Sequence, residues 1–358
     1  ALGIAVVTGV LLALPLVAFS VRRDLGRSLN AESRSSTADR LTHRWRQALI
    51  TAQVAFAFAL LICAALLGRS FQRLVSVNPG FQSEHVATGS VFLRGESYRD
   101  GGARASFVER WLDSLRAVPG VTAAGLGTTL PVSGKPDELT IGFSHRPAES
   151  SFWVEGHTPA AGEADQTHYF SEIAGDYPAA LGVPLLAGRQ IDDDDMQRAE
   201  RVCVVDEAFA RQYWPDGYAL GHRVRATIEP RSDMTIVGVV GTVKQVGLSE
   251  TQPRGTVYRA ITRHEPPLWI TAVVRSELDS SSLLADLRQT LAHLDPTLVL
   301  ENAQTMQARV AENVKPQRTA LMVSAFFSVA ALLLAGVGIY GVLAFMIAQR
   351  QREIGIRI

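Results

Sequence analysis

The stretch ALITAQVAFAFALLICAALL, residues 48–67, decides how the rest of the chain is read. It contains no Asp, Glu, Lys or Arg. An α-helix rises about 1.5 Å per residue, so about 20 apolar residues cross the roughly 30 Å hydrocarbon core of a bilayer. Two more stretches have the same character, LGIAVVTGVLLALPLVAFS at 2–20 and ALMVSAFFSVAALLLAGVGIYGVLAFMI at 320–347. A charge at the centre of such a helix costs about 2.5–3.5 kcal/mol on insertion scales. None of the three carries one. The sequence predicts three membrane spans, with a polar-rich region, 68–319, between the second and the third.

The formal net charge is zero, but the charges are segregated. Residues 21–47 hold Arg22, Arg23, Arg27, Arg34, Arg40, Arg44 and Arg46 against Asp24, Glu32 and Asp39. Residues 348–358 hold Arg350, Arg352 and Arg357 against Glu353. Near the other helix ends lie Arg69, Arg73, Arg309, Lys315 and Arg318. Basic residues close to helix ends stay on the cytoplasmic side. The linker 21–47 and the segment 348–358 are therefore expected inside, and 68–319 outside. A secretory signal peptide has its basic residues ahead of the apolar run. Here they follow 2–20, which reads as a span. Residues 68–319 mix 25 basic with 31 acidic residues and show no basic patch, which argues against nucleic-acid binding. Cys63 lies in an apolar run and Cys203 in an apolar strand pattern, and both read as small buried hydrophobes.

Within 68–319 the Asn78-Pro79-Gly80 turn ends the preceding helix. A strand is expected at 85–93 and a loop at 94–102. A helix follows at 103–118, with Phe107, Trp111, Leu112, Leu115 and Val118 on one face, and then a strand at 121–130. That is a βαβ unit. Residues 131–165 read as irregular, with short strands around 141–143 and 152–155, and 181–188 as an apolar segment bounded by glycines. Strands are expected at 202–205, 234–240, 256–260, 269–275 and 298–300. Asp206 is placed to cap a helix at 207–213. Residues 280–294 form an amphipathic helix on Leu283, Leu284, Leu287, Leu291 and Leu294, and 305–314 leads helically into the third span. The fold class is α+β, containing βαβ and mixed small sheets, inserted between transmembrane helices.

Candidate chemistry is sparse. Gly336, Gly338 and Gly341 spell G-x-G-x-x-G, but a dinucleotide fingerprint follows a strand, and this one lies within 28 apolar residues. Ala335, Gly338, Gly341 and Ala344 recur every three residues and make a small-residue stripe for close helix packing. Ser133-Gly134-Lys135 lacks the leading glycine and the following Ser/Thr of a phosphate loop. The four aspartates at 192–195 lack EF-hand spacing and read as a solvated turn opening a helix. The eight histidines show no metal-binding spacing, and no G-x-S-x-G elbow is present. No catalytic residue, metal or cofactor is expected. Residues 349–357, QRQREIGIR, continue apolar content past the span and suit docking on a cytoplasmic partner.

The chain resembles ABC-transporter permeases of the MacB/FtsX type over nearly all of its length. The resemblance rests on RSFQRLVSVNPGF (69–81), LGVPLLAGR (181–189), VVDEAFARQYWP (204–215), IVGVVGTVK (236–244) and VGIYGVLAFMIAQRQREIGIR (337–357). It implies a periplasmic core domain at 68–319, an FtsX-like permease domain starting at 320–347, and a bacterial inner-membrane location. It also implies that Arg350, Arg352, Glu353, Ile354, Gly355, Ile356 and Arg357 form a coupling segment that meets a cytoplasmic ABC ATPase subunit. Residues 2–20 would then end a preceding permease half, which supplies a second half in the same chain or in a dimer. The implied activity is mechanotransmission or efflux, with membrane lipids as surroundings and ATP hydrolysis in the partner. The alternative is a membrane receptor with an extracytoplasmic sensing domain.

Overall fold

The structure, a computed structural model, describes residues 36–133, 148–157, 166–197, 201–227, 233–252, 254–264, 266–277 and 280–355. The expected span 2–20, the linker as far as 35, the strand around 141–143, the Gly134-Lys135 pair, and Ile356 and Arg357 lie outside the described residues. The described residues fall into two units. One ends at Ala65 and resumes at Val323, and the other is Leu66–Met322.

In chain order, helix α1 (Ser36–Val75) precedes strand β1 (Val86–Phe92), helix α2 (Gly101–Arg116) and strand β2 (Val121–Gly127). Next come strands β3 (Ala148–Val154) and β4 (Thr167–Gly175), the short helix α3 (Tyr177–Ala180) and strand β5 (Leu185–Gly188). Strand β6 (Val202–Asp206), helix α4 (Glu207–Tyr213) and strands β7 (Arg223–Ala226), β8 (Met234–Val240) and β9 (Thr256–Ala260) follow. Strand β10 (Trp269–Ser276), helix α5 (Ser280–Leu294), strand β11 (Glu301–Thr305) and helices α6 (Met306–Asn313) and α7 (Lys315–Gly355) complete it.

Two lobes make up Leu66–Met322. In the first, strands stand in the order β11-β1-β10-β2, each antiparallel to its neighbour. Helix α2 joins β1 to β2 across β10, and α5 joins β10 to β11 across β1. This is the split βαβ pattern twice over, a ferredoxin-like arrangement with a long insertion between its second and third strands. The expected βαβ unit is thus present with β10 lying between its two strands. Helix α2 begins at Gly101, earlier than the hydrophobic period shows, because the Asp100 side chain accepts from the Ala103 amide at 3.3 Å. Phe107, Trp111 and Leu115 of α2 and Leu283, Leu287 and Leu291 of α5 then bury against Val91, Leu126, Ala272 and Val274 of the sheet.

The inserted strands close on themselves in the order β3-β4-β9-β6-β8-β7, with β7 pairing back to β3. Closure removes exposed strand edges. All six strands send side chains into one cluster: Val154, Phe170, Val257, Val205, Met234 and Val224, with Phe209 of α4 among them. This cluster fills the interior of the closed barrel.

Strand β4 joins the lobes. Residues 167–170 pair with β3 and residues 173–175 with β2 along one edge, while 169–173 pair with β9 along the other. The small sheets expected from sequence are thereby linked into one eleven-stranded network among the described residues. Sequence patterning missed β4 because THYFSEIAG is buried on both faces and has no period of two. Its polar residues are satisfied internally. Ser171 Oγ accepts from Thr129 Oγ1 at 2.8 Å, and Glu172 pairs with Arg259 of β9.

Other differences have local causes. Strand β11 lies at Glu301–Thr305 and not at 298–300, because ENAQT pairs with β1 as a polar edge while Leu300 packs over Gly89. Residues 94–102 are not all loop, since Glu96–Tyr98 form a 3-10 turn. The 192–195 run opens a short 3-10 helix as expected, but it is not all solvated, because Asp195 is buried. Arg189 grips both its oxygens at 2.6 and 2.9 Å. Cys203 is buried, whereas Cys63 is exposed on α1. Gly80 adopts φ +85 in the expected turn. A Cβ on Gly125 would lie 2.3 Å from the Tyr177 backbone, so only glycine lets β2 pass α3 this closely.

Phe107 is fully buried, with ring centroids 5.6 Å from both Tyr98 and Trp111. Phe107→Ala is expected to destabilise the domain by about 3–5 kcal/mol in urea denaturation, as for other buried Phe truncations. Val299→Ala, at a position 70% exposed, should change it by less than about 0.5 kcal/mol.

Candidate functional site

Apart from Ile356 and Arg357, which lie outside the described residues, the sequence-predicted functional residues lie on α7, whose backbone is helical from Lys315 to Gly355. The expected spans sit inside longer helices. Gln47–Val75 and Lys315–Gly341 are each long and apolar enough to cross a membrane. Only 6% and 11% of their apolar windows are buried among the described residues. Phe56, Ile62 and Leu66 on α1 and Phe326, Leu333 and Val337 on α7 stand exposed.

Within the helical unit, α1 and α7 meet along a narrow seam. Ser328 Oγ donates to the Leu60 carbonyl at 3.0 Å, besides its own Ser324 carbonyl at 2.7 Å. Ala57 and Ala335 are buried, and Ala335 follows Ser328 by one heptad. A Cβ on Gly338 would lie 3.0 Å from Gln53 Oε1, so glycine here leaves room for the end of the Gln53 side chain against α7. The predicted stripe therefore divides. Ala335 and Gly338 lie in the seam, while Gly341 has open space around its Cα and Ala344 is exposed. The seam also uses Gln53, Ala57, Leu60 and Ser328, which the small-residue count overlooked. The polar residues Gln53 and Ser328 inside apolar runs were the available signal. Arg350, Arg352, Glu353, Ile354 and Gly355 lie on the last helical turns of α7.

Within Leu66–Met322, titratable groups are buried for structural ends. Asp206 Oδ1 caps α4 by accepting from the Phe209 amide at 2.9 Å, as expected. Burial pushes its carboxyl up to about 7, against the pull of the hydrogen bonds it accepts. His168 is also buried, and desolvation pushes its imidazole below the ordinary range. It bonds Tyr213 Oη at 2.8 Å and the Arg254 carbonyl. Among the described residues no three His, Cys, Asp or Glu gather as metal ligands.

Taken together these features define a two-lobed α+β domain bordered by two apolar helices of membrane-spanning length. The family profile described as MacB-like periplasmic core domain matches residues 48–290, and the chain belongs to that family. Among curated relatives, the macrolide export ATP-binding/permease protein MacB of Aggregatibacter actinomycetemcomitans is 23% identical over 184 residues, 49% of this chain and 28% of that protein. MacB of Neisseria gonorrhoeae is 23% identical over 241 residues, 63% of this chain and 36% of that protein. The chain thus spans about a third of the length of these relatives. The crystal structure of the periplasmic region of MacB from Actinobacillus actinomycetemcomitans aligns with a TM-score of 0.38 at 13% identity, covering 66% of this chain and 95% of that one. The extracellular domain of the transporter YknZ aligns at 0.36 and 14%, covering 60% and 100%.

Two outcomes follow from this geometry. Gly338→Leu should disrupt assembly of the detergent-solubilised chain on size-exclusion chromatography more than Val337→Leu, since Val337 points away from the seam. Asp206 carries its proton to higher pH folded than unfolded, so the folded state binds more protons between about pH 4 and 7. Its contribution to stability is present at acid pH and falls as pH rises across that window. Asp206→Asn keeps a capping side chain and should flatten that fall in denaturation measured at a series of pH values.

Proposed function

We propose that the chain is permease machinery of an ABC transporter in the bacterial inner membrane, with Leu66–Met322 in the periplasm. The observation that carries this is the match to the MacB-like core domain on a chain whose domain is bordered by two exposed apolar helices. The basic residues at 21–47 and 348–358 support the same orientation.

In this proposal ATP is hydrolysed by a separate cytoplasmic ABC ATPase, and this chain converts the motion. The segment Arg350, Arg352, Glu353, Ile354, Gly355, Ile356 and Arg357 receives it. Helix α7 carries it to a periplasmic domain that acts on an exported substrate. A second permease half, in the same chain or a dimer, completes the unit. The seam supports this role, because small residues let helices pack closely and move together. Coupling also needs the ATPase to bind one permease state more tightly than the other. The MacB relatives are named for macrolide export, and nothing in the described residues selects that cargo.

The full chain should co-purify in detergent with a P-loop ATPase. Alanine at both Glu353 and Arg357 is expected to weaken that association or uncouple ATP turnover about tenfold or more, the loss expected for buried charged contacts. Unchanged association and coupling in the double variant would remove the docking assignment.

A further inference from the structure

A cleft of about 460 Å³ opens in the Leu66–Met322 unit, where the loop after β8 meets the junction of α6 and α7. Its polar walls are Ser133, Ser249, Asn313, Gln317, Glu312 and Arg309. The Nε and Nη2 atoms of Arg309 are buried and have no hydrogen-bond acceptor among the described residues. These two nitrogens form one edge of the guanidinium plane, and their N–H bonds run nearly parallel. That edge grips two oxygens of one phosphate or carboxylate. Burial works against the positive charge, while Glu312 favours it. A buried donor left unpaired is costly, and more so when charged, so a bound oxyanion would relieve a standing penalty.

The rest of the wall suits the same ligand. Asn313 Oδ1 accepts from the Leu248 amide at 3.4 Å, which leaves its NH₂ group to donate. Ser249 is exposed and Ser133 half-buried. Pro316 and Gln317, also in the wall, belong to the apolar segment Lys315–Gly341 at its first turn. On a chain that spans the membrane, the first turn of a span lies at the headgroup layer.

We propose that this cleft holds the phosphate of a phospholipid headgroup, gripped side-on by Arg309 after a turn of its last torsions toward the opening. Ser133, Ser249 and Asn313 complete the shell, and Glu312 stands by to meet a headgroup ammonium. The lipid source rests on the membrane placement proposed above. Phosphate recognition does not.

The test uses the full chain in a neutral detergent and follows its thermal midpoint against short-chain phosphatidylethanolamine, inorganic phosphate and a diacylglycerol without phosphate. The phospholipid should raise the midpoint saturably and the diacylglycerol should not. Half-saturation should need at least tenfold more phospholipid in Arg309→Gln. Ser249→Glu, which adds a repelling charge without touching Arg309, should show the same shift and guards against misfolding of the first variant. If inorganic phosphate matches the lipid at equal concentration, the phosphate site stands and its lipid source falls. Equal responses in the parent chain and both variants would overturn the site. The assay needs no ATPase, so its failure leaves the permease proposal untouched.

Discussion

The constraint that organises this chain is apolar helix surface that water cannot cover. Helices α1 and α7 share a narrow seam and leave Phe, Leu, Ile and Val exposed around the rest of their circumference. Left in water, such a surface would drive aggregation. In hydrocarbon it costs nothing, and the helical backbone satisfies its own polar groups there. Small residues then matter more than large ones along the seam, because lipid tails are as apolar as leucine and association depends on close approach. Ala57, Ala335 and Gly338 provide it, and Ser328 adds one hydrogen bond between the helices.

Within Leu66–Met322 a second constraint acts. A ferredoxin-like lobe and a six-stranded barrel, each with its own core, would be free to move independently if joined only by loops. Strand β4 prevents this by hydrogen-bonding into both, and a shared core packs Val86 and Val273 of the first lobe with Val204, Val240 and Tyr258 of the second. The buried Glu172–Arg259 pair and the Thr129–Ser171 hydrogen bond lie on the same strand and tie its polar residues to fixed partners.

Much of this was legible in the sequence, and the exceptions have physical reasons. The apolar runs, the α2 and α5 faces, Asp206 as a cap and strands β8 and β9 each follow from one local signal: period, cap or run. Strand β4 is buried on both faces and mixes His, Ser and Glu with apolar residues, so no local period marks it. The closure of the barrel depends on β7 returning to β3, a pairing some 70 residues apart in the chain that no window contains. In the seam, the three-residue stripe named Ala335 and Gly338 but extended to Gly341 and Ala344. A helix presents one face every 3.6 residues, so a strict three-residue repeat drifts off the contact. Arg309 carried no signal in sequence, because only the fold withdraws its guanidinium edge from acceptors.

The central proposal is that one folded body stands outside the membrane while the end of α7 lies inside. Cysteine labelling tests it most directly, in a Cys63→Ala background with Cys203 left in place because it is buried. A membrane-impermeant maleimide added to cells with a permeable outer membrane should label Tyr218→Cys, at a position 78% exposed in the domain. It should label Arg352→Cys only after the inner membrane is opened. Labelling of Arg352→Cys in intact spheroplasts, or protection of Tyr218→Cys in them, would contradict the account.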